Sequence, residues 1–171
     1  LAAGAAELVR DMVRDVLDAW PECRWFHLGG DEAWTLGQHP DTAAFIEKHG
    51  KAALYLKHVE PLLDLLCERD IRPVLWHDMM RDWPRAALQR LAAKADLMVW
   101  GYRGTPENTT HHHGREVIER LVAAGVPIWG AGAFKCGMES NENLPIADAR
   151  VENLQGWTRA ARDYGMPGLC A

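Results

Sequence analysis

The chain has 171 residues, of which 48% are hydrophobic and 25% are charged, as in ordinary folded globular domains. Its 19 basic and 24 acidic residues give a net charge of −5, which argues against a nucleic-acid-binding surface, since such surfaces are usually strongly basic. No apolar run approaches the ~20 residues needed to cross a bilayer, so neither nucleic acid nor a membrane is an expected partner.

Short apolar runs alternate with stretches of helical periodicity along the whole chain. Pro61 falls inside one of the helical stretches and is expected to kink or divide it. The predicted elements, in chain order, are a helix over 8–20, a strand over 24–28, a loop containing Gly37 and Pro40, a helix over 52–69, a strand over 72–77, a helix over 85–93, a strand over 96–101, a polar loop over 103–113, a helix over 115–124, a strand over 126–130, a loop rich in Gly and Asn, a helix over 147–164 and a strand over 166–170.

A helix between each pair of consecutive strands predicts an α/β fold with a parallel sheet. The strands are apolar rather than alternating, as expected where both faces of the sheet are covered. A barrel and an open doubly wound sheet both satisfy this pattern. No domain boundary is visible, and the chain opens inside a helix and ends inside a strand. We therefore expect residues 1–171 to be a fragment of a single domain.

The cysteines Cys23, Cys67, Cys136 and Cys170 are widely spaced and include no Cys-x-x-Cys pair. This spacing argues against a disulfide framework and against a thiolate zinc site. Reduced, mostly buried thiols are expected, which favours a reducing compartment such as the cytoplasm. The sequence gives no indication of an oligomeric state.

In parallel α/β folds, functional residues collect beyond the carboxyl ends of the strands. Aromatic rings and a few carboxylates at such an edge suit a sugar, whose apolar faces pack on rings while its hydroxyls take hydrogen bonds. Trp76 and Trp100 are expected to line such a pocket, whereas Trp129 lies mid-strand and is expected to fill the core. The residues that the first four strands bring to this edge are Asp31, Glu32 and Trp34, then Trp76, His77 and Asp78, then Trp100, Tyr102 and Arg103, and finally Trp129, Phe134 and Lys135.

Asp31 and Glu32 directly follow Gly29 and Gly30, which permit a sharp turn of the backbone. Because neighbouring residues of an extended chain point in different directions, the two carboxylates are expected to contact different parts of one ligand. The run from His111 to His113 is expected to be a solvated loop, since consecutive side chains do not face one point. No metal ion and no organic cofactor is predicted.

The segment His27-Leu28-Gly29-Gly30-Asp31-Glu32 resembles the His-x-Gly-Gly-Asp-Glu signature of glycoside hydrolase family 20, the β-N-acetylhexosaminidases. Residues 72–79, 99–102 and 132–135 extend the resemblance towards the hexosaminidase D-like subgroup of that family. The resemblance implies a (β/α)8 TIM barrel, of which this chain would span roughly the third helix to the start of the eighth strand.

The resemblance also implies a retaining exo-β-N-acetylhexosaminidase that removes terminal N-acetylglucosamine or N-acetylgalactosamine from glycans by substrate-assisted catalysis. Glu32 would protonate the leaving oxygen and later activate water. The 2-acetamido oxygen of the substrate would attack the anomeric carbon, while Asp31 holds the acetamido N–H and stabilises the positive intermediate.

The substrate-binding residues implied by the resemblance are Trp76, Trp100, Tyr102, Asp78 and His27. The two tryptophans would wall the acetamido pocket, and Tyr102 would donate a hydrogen bond to the acetamido oxygen. Much of the family uses a Tyr-x-Asp near the seventh strand for that bond, where this chain reads Phe-Lys-Cys at 134–136. His27 would brace the loop, and Asp78 either supports the site or caps the local backbone.

Two alternatives stay open. A barrel of this kind could bind carbohydrate without turnover. The Gly-Gly-Asp-Glu run also resembles the signature of diguanylate cyclases, which are nucleotide cyclases that carry it on a β-hairpin with an aromatic residue next. In this chain Ala33 follows instead.

Overall fold

The computed structural model describes residues 4–134 and 145–171, and in this part of the chain five parallel strands form one half-barrel sheet in the order β1-β2-β3-β4-β5. The strands are β1 (Trp25–His27), β2 (Arg72–Trp76), β3 (Asp96–Trp100), β4 (Ile128–Ala131) and β5 (Leu169–Cys170). The helices are α1 (Ala5–Ala19), α2 (Pro40–His49), α3 (Lys51–Cys67), α4 (Arg85–Ala92), α5 (Arg115–Ala123) and α6 (Ala147–Tyr164), with a 3-10 helix at Asp78–Met80. The predicted alternation of strands and helices is confirmed.

The pairing register brings the carboxyl ends of neighbouring strands together. Trp76 lies opposite Met98, and Trp100 lies opposite Ala131. The ladder continues past the strands, because the backbone N–H of His77 donates to Met98 and that of Gly101 donates to Ala131. Side chains that follow β1, β2 and β3 therefore share one edge of the sheet.

The main core lies between the sheet and the helices. Leu75, Leu97 and Val99 alternate along β2 and β3 and are almost completely buried against this layer. The helices contribute apolar side chains from one face each, which is why their periodicity was visible in the sequence. The principal helical members of this core are Leu63 from α3, Leu88 and Leu91 from α4, Ile118 and Leu121 from α5 and Trp157 from α6.

The other face of the sheet, here called the inner face, carries Trp25, His27, Arg72, Val74, Trp76, Asp96, Met98, Trp100, Trp129 and Ala131. Asp96 organises its lower part by accepting hydrogen bonds from Arg72 Nε at 2.7 Å and from Trp129 Nε1 at 2.9 Å. The Trp129 ring also meets Trp25 edge-on, with 5.7 Å between ring centroids. Trp129, expected to fill the core, is half-buried on the inner face of this half-barrel, where its N–H donates to Asp96.

One prediction about the helices is wrong, and another fails in part. The stretch expected to be a loop contains α2, which begins at Pro40 after His39, whose Nδ1 accepts the Asp41 N–H at 3.3 Å. No residue of α2 is buried, so the sequence carried little apolar periodicity to reveal it. Pro61 does not divide the next helix, because α3 runs unbroken from Lys51 to Cys67 with the proline on its exposed side.

The prediction of a solvated histidine run is also wrong in part. His111 is exposed, but His112 is half-buried and His113 is 3% exposed. The ring of His113 packs where Gly101 lacks a side chain, and its Nε2 lies 3.1 Å from the Arg103 carbonyl. This loop therefore folds over the end of β3 instead of extending into solvent.

The expectation of mostly buried thiols fails for the described cysteines: Cys23 is buried, whereas Cys67 and Cys170 are exposed at the ends of α3 and β5, and all three are free. Within 4–134 and 145–171, no helix has the length and apolarity that crossing a membrane requires. No cluster of three or more metal-ligating side chains occurs in the same part of the chain.

Candidate active site

The segment 29–32, here called the acid loop, follows β1 in a conformation that only a few residues adopt easily. Gly29 and Gly30 have φ angles of 75° and 85°, and Glu32 has a φ of 48°. A positive φ is uncommon for a residue with a side chain and costs free energy. The loop is tied to β2, since the Trp76 N–H donates to the Gly29 carbonyl at 3.1 Å. The backbone at Glu32 is thus held in an unfavourable conformation by its surroundings.

Tyr55 on α3 holds the acid loop from the core side. Its hydroxyl donates to the Gly30 carbonyl at 2.8 Å, and its ring meets Trp83 edge-on with 5.4 Å between centroids. A Cβ atom at position 30 would lie 2.1 Å from this hydroxyl, so only glycine fits there. Burial, and then the negative charges of Asp78 and Asp31, raise the pKa of Tyr55, so its hydroxyl keeps its proton and stays a donor.

Asp78 connects three strand ends. The side chain is 5% exposed, and its Oδ2 accepts the backbone N–H of Glu32 at 2.8 Å. Its Oδ1 accepts the indole N–H of Trp100 at 3.2 Å. One buried carboxylate after β2 therefore links the acid loop after β1 to the aromatic side chain at the end of β3. Of the two roles considered from the sequence, this geometry favours support of the site over capping of the local backbone.

His27 and Trp76 lie side by side on the inner face, with 4.3 Å between ring centroids. The Nδ1 atom of His27 accepts the Gly29 N–H at 2.9 Å, so the ring braces the start of the acid loop. Burial lowers the pKa of His27, an effect that the nearby Asp31 charge partly offsets. A neutral ring suits a nitrogen that must accept this backbone hydrogen bond.

Trp100 stands in a small aromatic group. Its ring centroid lies 5.3 Å from that of Tyr102 and 4.2 Å from that of His112. The Tyr102 carbonyl accepts a hydrogen bond from Arg150 at 2.5 Å, and Arg150 is 3% exposed. Trp100 therefore contacts two aromatic rings, and Arg150 anchors the backbone of Tyr102.

His77 holds the loop at residues 111–113 beneath this aromatic group. The residue is fully buried, and its Nε2 lies 2.7 Å from the carbonyl of His112. Burial lowers the pKa of His77 to about 4, although the hydrogen bond to His112 opposes the change. His77 is therefore neutral at pH 7 and donates from Nε2 to that carbonyl.

The structure brings all of the predicted site residues to one edge of the sheet. Asp31 and Glu32 are exposed, Trp76, Trp100, Tyr102 and His27 are half-buried, and Asp78 is buried. Phe134 is 67% exposed, while the sequence candidates Lys135 and Cys136 lie outside the described residues. The supporting residues Tyr55 and His112 were not predicted at this edge, and His77 was expected there without an assigned role.

The pairing of β1 bears on one alternative. β1 pairs in parallel with β2, so the Gly-Gly-Asp-Glu run follows a parallel strand and does not lie on a β-hairpin. The nucleotide cyclase alternative requires the hairpin, and it is therefore wrong. The remaining alternative, carbohydrate binding without turnover, would use the same sugar-binding side chains as a hydrolase. The pairing of β1 therefore does not distinguish the two.

Comparison with known proteins agrees with this geometry. The model of the catalytic domain of glycosyl hydrolase family 20 matches residues 2–122, which include the acid loop, Asp78 and Trp100. The curated protein Hexosaminidase D of Bos taurus is 29% identical over 162 residues, covering 90% of this chain and 46% of that protein. Hexosaminidase D of Homo sapiens is 25% identical over 167 residues, covering 93% of this chain and 34% of that protein. The chain thus spans less than half the length of these relatives.

Among solved structures, the fold resembles that in "Crystal structure analysis of Dispersin B". The TM-score is 0.52 at 16% sequence identity, and the match covers 99% of this chain and 51% of that one. At this identity the comparison concerns the fold alone, and it confirms that the five strands are part of an α/β barrel.

Proposed function

Because this chain belongs to glycosyl hydrolase family 20, we propose that the protein carrying it is a retaining exo-β-N-acetylhexosaminidase that acts by substrate-assisted catalysis. Its substrates are glycans that end in N-acetylglucosamine or N-acetylgalactosamine. The observation that carries the proposal is the buried carboxylate of Asp78, which holds Glu32 and Trp100 in one assembly. An acid and an aromatic wall held together in this way suit one sugar ring.

Glu32 is the general acid. Its backbone is fixed by Asp78, while its side chain is exposed at the open edge of the sheet, where a glycosidic oxygen can reach it. It donates its proton to the departing oxygen and then, as a carboxylate, takes a proton from the incoming water. A fixed backbone under a free carboxyl group allows one residue to serve both steps.

Asp31 serves a different atom of the same sugar. A conventional retaining pair places two carboxyl groups ~5–5.5 Å apart on either side of the scissile bond. Residues adjacent in sequence, on one loop, are poorly suited to that arrangement. They suit a reaction in which the acetamido oxygen of the substrate is the nucleophile, with Asp31 accepting the acetamido N–H and stabilising the cationic ring that forms.

Trp76 and Trp100 enclose the acetamido group. Both rings are half-buried on the inner face, at the ends of adjacent paired strands. Apolar walls exclude water and strengthen the electrostatic interaction between Asp31 and the cationic intermediate. Tyr102, whose ring lies beside Trp100, is the proposed donor to the acetamido oxygen, and His27 braces the acid loop next to Trp76.

The test compares two aryl glycosides that differ only at C2, an N-acetylhexosaminide and the matching plain hexoside, with the full-length protein that carries this chain. Rapid release of the aryl group from the N-acetyl substrate alone is expected. Equal rates on both substrates would contradict participation of the acetamido group. Saturable binding of N-acetylhexosamine without any hydrolysis would instead support the carbohydrate-binding alternative.

A further inference from the structure

The segment 101–104, here called the tyrosine segment, follows β3 and carries Tyr102. It belongs to no helix or strand, so no regular ladder fixes its backbone. Gly101 is buried, Tyr102 is half-buried, and Gly104 has a φ of 63°. Backbone carbonyls in such a segment need hydrogen-bond partners from elsewhere in the protein. The side chains that supply these partners therefore determine where Tyr102 lies.

One amide group bridges the two ends of the tyrosine segment. The side-chain Nδ2 of Asn153 donates to the Gly101 carbonyl at 2.9 Å and to the Gly104 carbonyl at 2.8 Å. The Gly101 carbonyl also accepts the indole N–H of Trp157 at 3.0 Å. The distance between the ends of the segment is thus set by a single side chain of α6.

The two carbonyls between these ends also accept hydrogen bonds from side chains. Arg150 Nη1 donates to the Tyr102 carbonyl at 2.5 Å, and His113 Nε2 donates to the Arg103 carbonyl at 3.1 Å. All four consecutive carbonyls of the tyrosine segment are therefore held by side chains from outside it. A backbone held at every carbonyl leaves the Tyr102 side chain little freedom beyond its own torsions.

The helix α6 gives one face to this task. Arg150, Asn153 and Trp157 are three and four residues apart, so they lie on the same side of the helix, and they are 3%, 0% and 0% exposed. Arginine and asparagine are rarely buried to this extent. Close approach is possible because position 156 is glycine, where a Cβ atom would lie 2.5 Å from Cβ of Thr105. A face that only packed against the sheet could be apolar throughout, so its polar groups point to a role in fixing the tyrosine segment.

We propose that Arg150 and Asn153 are positioning residues that place the Tyr102 hydroxyl against the acetamido oxygen of the substrate. The inference rests on the proposed function, in which Tyr102 donates that hydrogen bond. The acetamido oxygen is the nucleophile of the proposed reaction, so a small error in its orientation slows its attack on the anomeric carbon. Arg150 and Asn153 contact only the backbone of the tyrosine segment and act through Tyr102.

The experiment is a double-mutant cycle in the full-length protein, with kcat/KM measured on an aryl N-acetylhexosaminide. Asn153→Ala is expected to lower kcat/KM about tenfold in the wild-type background. In the Tyr102→Phe background the same change should cost less than twofold, because the hydroxyl that Asn153 positions is already absent. Gln155→Ala removes an exposed amide from the same helix and should leave kcat/KM unchanged in both backgrounds.

Arg150→Lys provides a second cycle if Asn153→Ala does not fold. Lysine keeps the positive charge but lacks the planar guanidinium group that reaches the Tyr102 carbonyl. The expected pattern is the same, a fall in kcat/KM that largely disappears in the Tyr102→Phe background. Thermal unfolding of every variant identifies the temperatures at which all of them are folded, and the kinetics are measured there.

Failure of the inference and failure of the proposed function give different results. Equal losses in both backgrounds would indicate a purely structural role and overturn the inference alone. A Tyr102→Phe variant as active as the wild type would overturn it as well, since there would be no hydroxyl to position. Absence of hydrolysis by the wild-type protein would overturn the proposed function and this inference with it.

Discussion

The replacement of Asp78 by Asn tests whether one buried carboxylate holds the site together. Each of its oxygens accepts one hydrogen bond, Oδ2 from the Glu32 N–H at 2.8 Å and Oδ1 from Trp100 Nε1 at 3.2 Å. Asparagine has the same shape but only one oxygen acceptor, because its second group is an NH2 donor. In either orientation of the amide, one of the two N–H groups would face another donor.

The size of the effect follows from these two contacts. A hydrogen bond to a charged group contributes about 1.5–3 kcal/mol. The loss of one should therefore weaken the link between the acid loop and Trp100 by roughly 2 kcal/mol. Since each 1.4 kcal/mol corresponds to a tenfold change in rate, Asp78→Asn is expected to lower kcat/KM on an aryl N-acetylhexosaminide by about 30-fold. The bond to Glu32 is the shorter one, so we expect it to be retained and the bond to Trp100 to be lost.

Asp64→Asn is a matched control, because Asp64 pairs with Lys94 on the surface of α3 and its side chain is 50% exposed. An exposed pair of this kind contributes at most about 1 kcal/mol and lies away from the acid loop. Steady-state kinetics and thermal unfolding of both variants complete the measurement. A kcat/KM for Asp78→Asn within twofold of wild type would refute the idea that this carboxylate positions the acid.

Four further predictions concern the full-length protein, except where the isolated chain is named. Glu32→Gln should lower kcat by ~10²- to 10⁴-fold on substrates with poor leaving groups and much less on an activated aryl glycoside; equal losses would contradict the acid role. Asp31→Asn should lower kcat/KM on the N-acetyl substrate by ~10²- to 10³-fold, measured beside the plain hexoside as reference, and a comparable loss on both would count against its assignment to the acetamido group. The pKa of His77 lies near 4 in the folded protein and at 6.5 in the unfolded chain, so protons bind the unfolded state first as the pH falls. Stability to urea should then be full above about pH 6.5 and decline towards pH 4, with a smaller decline in His77→Gln, and identical pH profiles for the two proteins would exclude His77 as the cause. Residues 1–171 made alone should unfold without a cooperative transition, because β1 and β5 are unpaired sheet edges and Trp25 on the inner face is 52% exposed; a sharp urea transition would disprove this.

The strand–helix alternation was predictable because each buried element repeats its apolar residues at its own period. The predicted range 147–164 matches α6, and the strand predicted over 72–77 contains β2. The helix α2 was not predicted because none of its residues is buried. Only His39 and Pro40 marked its start in the sequence. Local signals of that kind are weak without an apolar face beside them.

The residues of the site also include some that could be predicted from the sequence and some that could not. Asp31 and Glu32 follow an apolar strand, and Trp76 and Trp100 end two others, so their position at the sheet edge could be predicted from the strands alone. The contacts of Asp78 could not, because its partners are 46 and 22 residues away in the chain. Tyr55 is a hydroxyl-bearing ring within an apolar helix face, and the sequence shows no difference between it and an ordinary core residue.

The contact between Gly30 and Tyr55 restricts which sequences this site can accept. The added Cβ of any other residue at position 30 would collide with the tyrosine oxygen, and the φ of 85° would strain it further. The hydroxyl of Tyr55 in turn has its hydrogen-bond partner only while the carbonyl of Gly30 stays in place. A side chain at position 30 should therefore displace the tyrosine and reshape the acid loop, whereas loss of the hydroxyl at position 55 removes only its hydrogen bond to the carbonyl of Gly30.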